Sequence, residues 1–242
     1  MESTPSIELY GTGSPNVHKI TLALEEMNIP FIFHKVNIRA GEQYTETFKK
    51  LNPNSKLPAL VDHSVGVSIF ESGNILQYLA TRYGNGKYLP NQNTDLKGHT
   101  EVMNWVFWQM AGLGPNFGQF YHFSHYAGEK HEYAIQRFLN ETTRLFLVLE
   151  KQLASNKFVV GDTYTIADMA IYPWAKYIKL IPELKHEEFP NVYSYIDRVR
   201  QIPSVDKVIS AVEEDQKQNP PKPPTEEEKK WMFNVDGRST KA

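Results

Sequence analysis

The spacing of apolar residues changes once along this chain of 242 residues. In the first part, short runs typical of strands alternate with runs of helical spacing, whereas helical spacing dominates afterwards. Between the two parts, residues 84–94 are rich in Gly, Asn and Pro and predict a linker. The sequence therefore predicts an α/β domain over residues 6–86, an all-α domain over 95–215 and a Pro-rich C-terminal extension over 216–242.

The first part predicts the element order βαβ, a short helix and then ββα. The expected strands and helices cover residues 7–10, 15–27, 31–37, 41–51, 59–61, 67–70 and 71–83. A parallel strand pair joined by a helix and followed by an antiparallel hairpin is a thioredoxin-like arrangement. Ser14 can cap the first of these helices, and Pro15 suits its first position.

The second part predicts five helices, over residues 96–111, 132–153, 165–180, 192–201 and 204–214. The run Thr165-Ile166-Ala167-Asp168 resembles a capping box with Asp at its fourth position. In the extension, residues 219–224 favour polyproline II. For residues 225–233 two structures remain open: a helix that places Trp231 against the body of the protein or a partner, and a mobile tail.

Composition argues against several classes of protein. The net charge of −2 provides no basic surface for nucleic acid. The chain contains no run of about 18 apolar residues, so no membrane span is predicted. The N-terminus lacks the basic start and the apolar run of a secretory signal. The absence of cysteine excludes disulfides and thiolate metal sites and fits a cytoplasmic protein.

The dipeptide Leu57-Pro58, immediately before a predicted strand, is a candidate cis peptide bond. A cis bond would turn the Leu57 N–H and C=O outward, so that an extended peptide could pair with this edge. An ordinary proline at the start of a strand is the alternative.

The dipeptide Glu71-Ser72 lies at a predicted helix start. Backbone N–H groups and the Ser72 hydroxyl would form a carboxylate site there, and Glu71 would meet a neighbouring α-ammonium. The pair therefore suits the head group of an α-amino acid. Plain N-capping is the alternative.

The turn Ser14-Pro15-Asn16 occupies the position at which a thioredoxin-type oxidoreductase carries Cys-x-x-Cys. Ser14 and Asn16 can each donate a hydrogen bond to the thiolate of a ligand. The positive end of the following helix would lower the pKa of that thiol. Helix capping alone is the alternative.

An aromatic and histidine cluster covers residues 120–126. Its members Phe120, Tyr121, His122 and His125 are candidates for a second-substrate pocket, because aromatic walls suit bulky or electrophilic ligands. A turn between two helices, packed by aromatic rings, is the alternative. A metal site that uses these histidines is disfavoured, because no carboxylate or cysteine completes a ligand set.

Over residues 6–215 the chain resembles the cytosolic glutathione transferases, and most closely their nu class of bacterial disulfide-bond reductases. It is also similar to the globular part of the fungal nitrogen-regulator prion protein. The motifs that carry the resemblance are Asn16-x-His18-Lys19-Ile20, Asn54-Ser55-Lys56-Leu57-Pro58-Ala59, Phe70-Glu71-Ser72-Gly73, Thr165-Ile166-Ala167-Asp168, Trp105-x-x-Trp108-Gln109 and Gly112-Leu113-Gly114-Pro115.

The resemblance implies a homodimer whose subunits combine a thioredoxin-like domain with an all-α domain and hold two glutathiones or the oxidised dimer. Ser14 and Asn16 would then face the glutathione sulfurs. The other implied contacts are Gln43 and Lys56 with the glycyl carboxylate, Leu57 with the cysteinyl backbone, Glu71 and Ser72 with the γ-glutamyl end, and Arg137 with ligand near the dimer interface. Tyr10 lies before the turn and is not expected to be catalytic.

Two functions follow from these expectations. The first is an enzyme that uses glutathione, without a metal, to reduce small disulfides, with conjugation or peroxidase activity on the same thiolate. The second is a non-catalytic glutathione-binding regulatory module of the same fold. No nucleic acid or membrane partner is expected.

Overall fold

The computed structural model describes residues 5–234. Contacts divide the chain into two compact units. Of the described residues, one unit contains 5–78 together with 204–234, and the other contains 79–203. Among the described residues, no helix is long and apolar enough to cross a membrane.

The first unit contains one four-stranded sheet. Its strands are β1 (Ile7–Gly11), β2 (Phe31–Lys35), β3 (Ala59–Asp62) and β4 (Val67–Phe70). They lie in the order β2-β1-β3-β4, with β1 and β2 parallel and the other pairs antiparallel. Every residue of the inner strand β3 is buried, whereas β1 alternates between buried and half-buried residues. This topology is the thioredoxin-like arrangement that the sequence predicts.

Three helices accompany the sheet: α1 (Pro15–Glu26), α2 (Glu46–Leu51) and α3 (Ser72–Tyr83). The predicted helix over residues 41–51 is wrong in its first half. A 3-10 turn covers Glu42–Tyr44, and Thr45 then adopts extended backbone and caps α2. Threonine at this position accepts a hydrogen bond from the Phe48 N–H, which fixes a new helix start.

The second unit is helical. Its helices are α4 (Leu96–Trp108), α5 (Gly114–His125), α6 (Glu132–Leu153), α7 (Ile166–Ala175) and α8 (Pro190–Arg200). The sequence did not predict α5. It begins with Gly114-Pro115 directly after a π-helical turn over Gln109–Leu113, so no loop separates it from α4. The predicted capping box is confirmed, because Asp168 accepts from the Thr165 N–H and Thr165 caps α7.

The chain after the second unit forms two further helices, α9 (Pro203–Gln218) and α10 (Glu226–Phe233). Of the two structures that the sequence left open for residues 225–233, the helix is formed. Thr225 and Glu228 close a capping box at its start. Arg39 donates a hydrogen bond to the Lys222 carbonyl at 2.6 Å and contacts Glu228 at 3.5 Å. The last predicted residues of the extension, 235–242, lie outside the described residues.

Candidate active site

Three strand ends meet at one edge of the sheet. Tyr10 near the end of β1 pairs with Ala59 at the start of β3, and Ala59 pairs with Phe70 at the end of β4. The segments that carry Ser14, Leu57-Pro58 and Glu71-Ser72 therefore leave the sheet at the same edge. Antiparallel pairing brings together three motifs that are up to 58 residues apart in sequence, counted from Ser14 to Ser72.

Ser14 caps the first helix, as predicted. Its backbone is extended, and its Oγ accepts from the Val17 N–H at 3.4 Å, a long hydrogen bond. Pro15 occupies the first helical turn, and Asn16 follows it. Ser14 and Asn16 are both half-buried. Their side chains thus lie beside the positive end of α1, where an anion is stabilised.

The Leu57–Pro58 peptide bond is cis, as the sequence predicts. The Leu57 side chain packs against the buried residues Val36, Phe48 and Ala59. Because β3 begins only at Ala59, Leu57 lies outside the ladder with the neighbouring strands. Asn52 fixes the preceding loop, since its side chain donates to the Lys56 carbonyl at 2.6 Å and leaves the Lys56 side chain exposed.

Glu71 and Ser72 form the start of α3. Glu71 is exposed and has a positive φ of 67°, a conformation that costs a residue with a Cβ free energy. The Ile75 N–H donates to the Glu71 carbonyl at 2.9 Å, so Glu71 is the cap residue and Ser72 is the first helical residue. Plain N-capping, the alternative considered for the pair, would therefore fall to Glu71.

Lys19 is the residue in this region that sequence reasoning missed. Its side chain is 1% exposed, and its Nζ donates a hydrogen bond to Ser72 Oγ at 3.2 Å. Burial lowers the pKa of Lys19 to about 7, and the nearby Glu71 carboxylate opposes this shift. A signal exists in the sequence, because Lys19 shares a helical face with Leu22 and Ala23, which are both fully buried.

Gln43, the predicted partner of a glycyl carboxylate, is 3% exposed and lies beneath α10. Its Nε2 donates to the Trp231 carbonyl at 3.2 Å and to the Ile38 carbonyl at 3.4 Å. Gly41 has a positive φ of 79°, and a Cβ there would lie 2.5 Å from the Trp231 ring. The indole therefore packs directly on glycine backbone, close to the Tyr44 ring.

The Tyr10 side chain contacts Glu8 and His34 rather than the helix starts. Its hydroxyl donates to Glu8 at 2.6 Å, and its ring stacks on that of His34 with centroids 4.5 Å apart. Burial and the Glu8 carboxylate raise the pKa of Tyr10 to about 12. These contacts support the prediction that Tyr10 is not the catalytic residue.

The remaining candidates belong to the second unit. Phe120 is buried, Tyr121 and His122 are half-buried, and His125 is exposed. The Tyr121 and His125 rings stack 4.1 Å apart on α5. The expected alternative of a turn between helices is wrong, because these residues are helical. Arg137 is exposed on α6. Within residues 5–234, no group of three or more His, Cys, Asp or Glu could hold a metal ion.

Two family models match the chain. The glutathione S-transferase N-terminal domain matches residues 13–82, and the glutathione S-transferase C-terminal domain matches residues 103–203. The first match includes all three motifs at the sheet edge, and the second includes the candidates on α5 and α6.

Relatives and solved structures agree with these matches. The disulfide-bond oxidoreductase YghU of Escherichia coli is 46% identical over 200 residues, which cover 78% of this chain and 67% of YghU. The glutathione transferase URE2P6 of Phanerochaete chrysosporium, in complex with oxidised glutathione, superposes with a TM-score of 0.81 at 31% identity, covering 88% and 99% of the two chains. A glutathione transferase of Burkholderia graminis with two glutathiones per subunit gives 0.78 at 33% identity, covering 87% and 90%.

The chain therefore belongs to the glutathione S-transferase family. The predicted fold, a thioredoxin-like domain followed by an all-α domain, is confirmed. The resemblance to disulfide-bond oxidoreductases and to Ure2-like transferases is confirmed as well.

Proposed function

We propose that this protein is a glutathione-dependent disulfide-bond reductase. The observation that carries the proposal is the convergence of two helix starts and the Leu57-Pro58 segment at one sheet edge, in a chain without cysteine. A thiol must then come from a ligand. Glutathione offers two carboxylates, an ammonium and an extended backbone, which match these groups.

The proposed roles of the residues follow their positions. Ser14 and Asn16 hold the glutathione sulfur at the positive end of α1, which lowers the pKa of the thiol. The Leu57 backbone pairs with the cysteinyl residue. The γ-glutamyl end lies at Glu71 and Ser72, where α3 offers backbone N–H groups to its carboxylate. Lys56 and Gln43 serve the glycyl carboxylate, and for Gln43 this requires a rearrangement of the Trp231 contact.

The chemistry is thiol–disulfide exchange in two steps. The glutathione thiolate attacks one sulfur of the substrate disulfide, which forms a mixed disulfide and releases the other sulfur as a thiolate that takes up a proton. A second glutathione thiolate then attacks the glutathione sulfur of the mixed disulfide. The products are oxidised glutathione and a fully reduced substrate. The two glutathiones in the Burkholderia graminis relative support room for both reductant molecules.

The proposal also covers the class of the protein, its oligomeric state, its second-substrate pocket and its domain boundaries. We place the protein in the nu class, as a cytoplasmic homodimer in which Arg137 reaches ligand near the subunit interface. Phe120, Tyr121, His122 and His125 would line the second-substrate pocket. The functional boundaries are residues 6–86, 95–215 and 216–242. Conjugation and peroxidase activity would use the same thiolate.

The test is reduction of a small disulfide by glutathione, with Ser14→Ala, Asn16→Ala and the double variant. We expect the double variant to lose about 100-fold in kcat, since it removes both proposed hydrogen bonds to a thiolate. The thiol pKa of bound glutathione, measured by thiolate absorbance, should rise in parallel. Asn93→Ala, at an exposed loop position, is the matched control.

Two results would contradict the proposal. Unchanged turnover in the double variant would remove the roles of Ser14 and Asn16. Tight binding of glutathione without turnover of disulfides, peroxides or electrophiles would favour the regulatory module instead.

A further inference from the structure

We infer that Lys19 is a positioning residue that orients the Ser72 hydroxyl toward the γ-glutamyl carboxylate of glutathione. This inference rests on the proposed function. Lys19 and Ser72 come from different helices, and their side chains are 3.2 Å apart in the interior of the first unit. Both are buried, with exposures of 1% and 4%.

The direction of the hydrogen bond sets the orientation of the serine. In its charged form Lys19 has three donors and no acceptor, so Ser72 Oγ then accepts from it. The hydroxyl has one hydrogen, and that hydrogen is directed away from Lys19. Ser72 is the first residue of α3, so its side chain is carried on the turn whose N–H groups have no partner within the helix. These donors together form a carboxylate-binding arrangement.

The electrostatics also favour an anion at this place. A positive charge near a helix N-terminus is unfavourable, because the helix dipole is positive there as well. Lys19 is close to the start of α3 and carries a charge that is costly to bury. The Glu71 carboxylate offsets part of this cost, and burial still lowers the pKa of Lys19 to about 7. A bound carboxylate would favour the charged amine, while methionine would fill the same space at less cost.

The experiment compares two ligands on purified full-length protein. Glutathione has the γ-glutamyl group, whereas cysteinylglycine lacks it. Isothermal titration would measure both with the wild type, Lys19→Met, Ser72→Ala and the double variant. We expect Lys19→Met to weaken glutathione binding about tenfold and to leave cysteinylglycine binding unchanged. The double variant should bind glutathione no more weakly than Ser72→Ala, because Lys19 acts through Ser72. In turnover, KM for glutathione should rise and kcat should stay the same.

A second measurement avoids substitutions. Carbon-13 NMR of the lysine Cε atoms follows Lys19 in the wild type, identified by the signal that is absent from Lys19→Met or, if that variant does not fold, by its low titration range. We expect its pKa to rise when glutathione binds and to stay unchanged with cysteinylglycine.

The outcomes separate the two proposals. If the wild type does not bind glutathione, the proposed function fails. If the wild type binds glutathione but its Lys19 pKa does not respond, the inference fails. It also fails if Lys19→Met weakens both ligands equally, or if the effects of Lys19→Met and Ser72→Ala are additive.

Discussion

The side-chain amide of Gln43 donates a hydrogen bond to the backbone carbonyl of Trp231, 188 positions later in the chain. The helix that carries Trp231 thereby covers a residue of the thioredoxin-like fold that the family resemblance assigns to ligand binding. The Trp231 ring completes the contact by packing on Gly41.

The first prediction concerns how α10 is held. Gly41→Ala should displace α10, because the new Cβ would lie 2.5 Å from the Trp231 ring and the positive φ disfavours alanine. Trp231→Ala should have the same effect by removing the ring. We expect hydrogen exchange of residues 225–233 to accelerate at least tenfold in both variants, with little change in Tm.

Lys222→Ala is the matched control, because Arg39 bonds the backbone carbonyl of Lys222 and not its side chain. Unchanged exchange in Gly41→Ala would show that the Trp231 contact does not hold the helix.

A second prediction separates function from backbone strain at Glu71. Its positive φ suits glycine, whereas an alanine there retains the strain. Glu71→Gly should therefore be more stable than Glu71→Ala by about 1 kcal/mol in urea unfolding. Both variants should lose affinity for glutathione, since both lack the carboxylate. Equal stability of the two variants would argue against strain, and retained affinity would argue against the role of Glu71.

The third prediction concerns Asp168, whose two carboxylate oxygens accept from the Val159 and Thr165 N–H groups, each at 2.9 Å. Asparagine has one acceptor oxygen, so Asp168→Asn leaves a buried N–H facing an amide NH2. We expect a loss of about 1–3 kcal/mol in the free energy of unfolding. Asp95→Asn is the control: Asp95 caps α4 with a single bond to the Gly98 N–H, which asparagine can replace. Equal losses would contradict the double-acceptor explanation.

The fourth prediction is a pH dependence of stability from Lys19. The pKa of Lys19 is about 7 in the folded protein, against the ordinary lysine value of 10.5. Between these values the unfolded chain binds more protons, so the free energy of unfolding should rise with pH by up to about 1.4 kcal/mol per unit. Lys19→Met lacks this term. Relative to the wild type, its stability should therefore fall as the pH rises from about 7 to about 9. A constant difference would show that the amine keeps an ordinary pKa.

Local sequence patterns predicted much of the fold, because most helices and strands have capping residues or apolar spacing that can be recognised within the element itself. The start of α1 at Ser14 and Pro15 and the capping box at Thr165 were both predictable. The helix α5 was not, because the chain passes into it from α4 through a π-helical turn without a break in helical character. The aromatic cluster at residues 120–126 is therefore as compatible with a turn as with a helix on sequence alone.

The candidate site was predictable only in part, because some of its contacts join residues that are far apart in the sequence. The motifs indicate roles for Ser14, Leu57 and Glu71, whereas Lys19 lies in the motif Asn16-x-His18-Lys19-Ile20 without any pattern that indicates its role. Its partner Ser72 is 53 residues away, and only tertiary packing brings the two together. The burial of Gln43 beneath Trp231 likewise depends on a long-range contact that no spacing reveals.

The start of α1 determines how the protein responds to thiol reagents and to oxidants. Ser14 caps this helix and the sequence contains no cysteine, so the protein has no thiol–disulfide couple of its own. Alkylating reagents that silence thiol enzymes have no sulfur nucleophile of this kind to attack, and peroxide cannot convert one to a sulfinic acid. The direction of the proposed reaction would follow the ratio of reduced to oxidised glutathione in its surroundings.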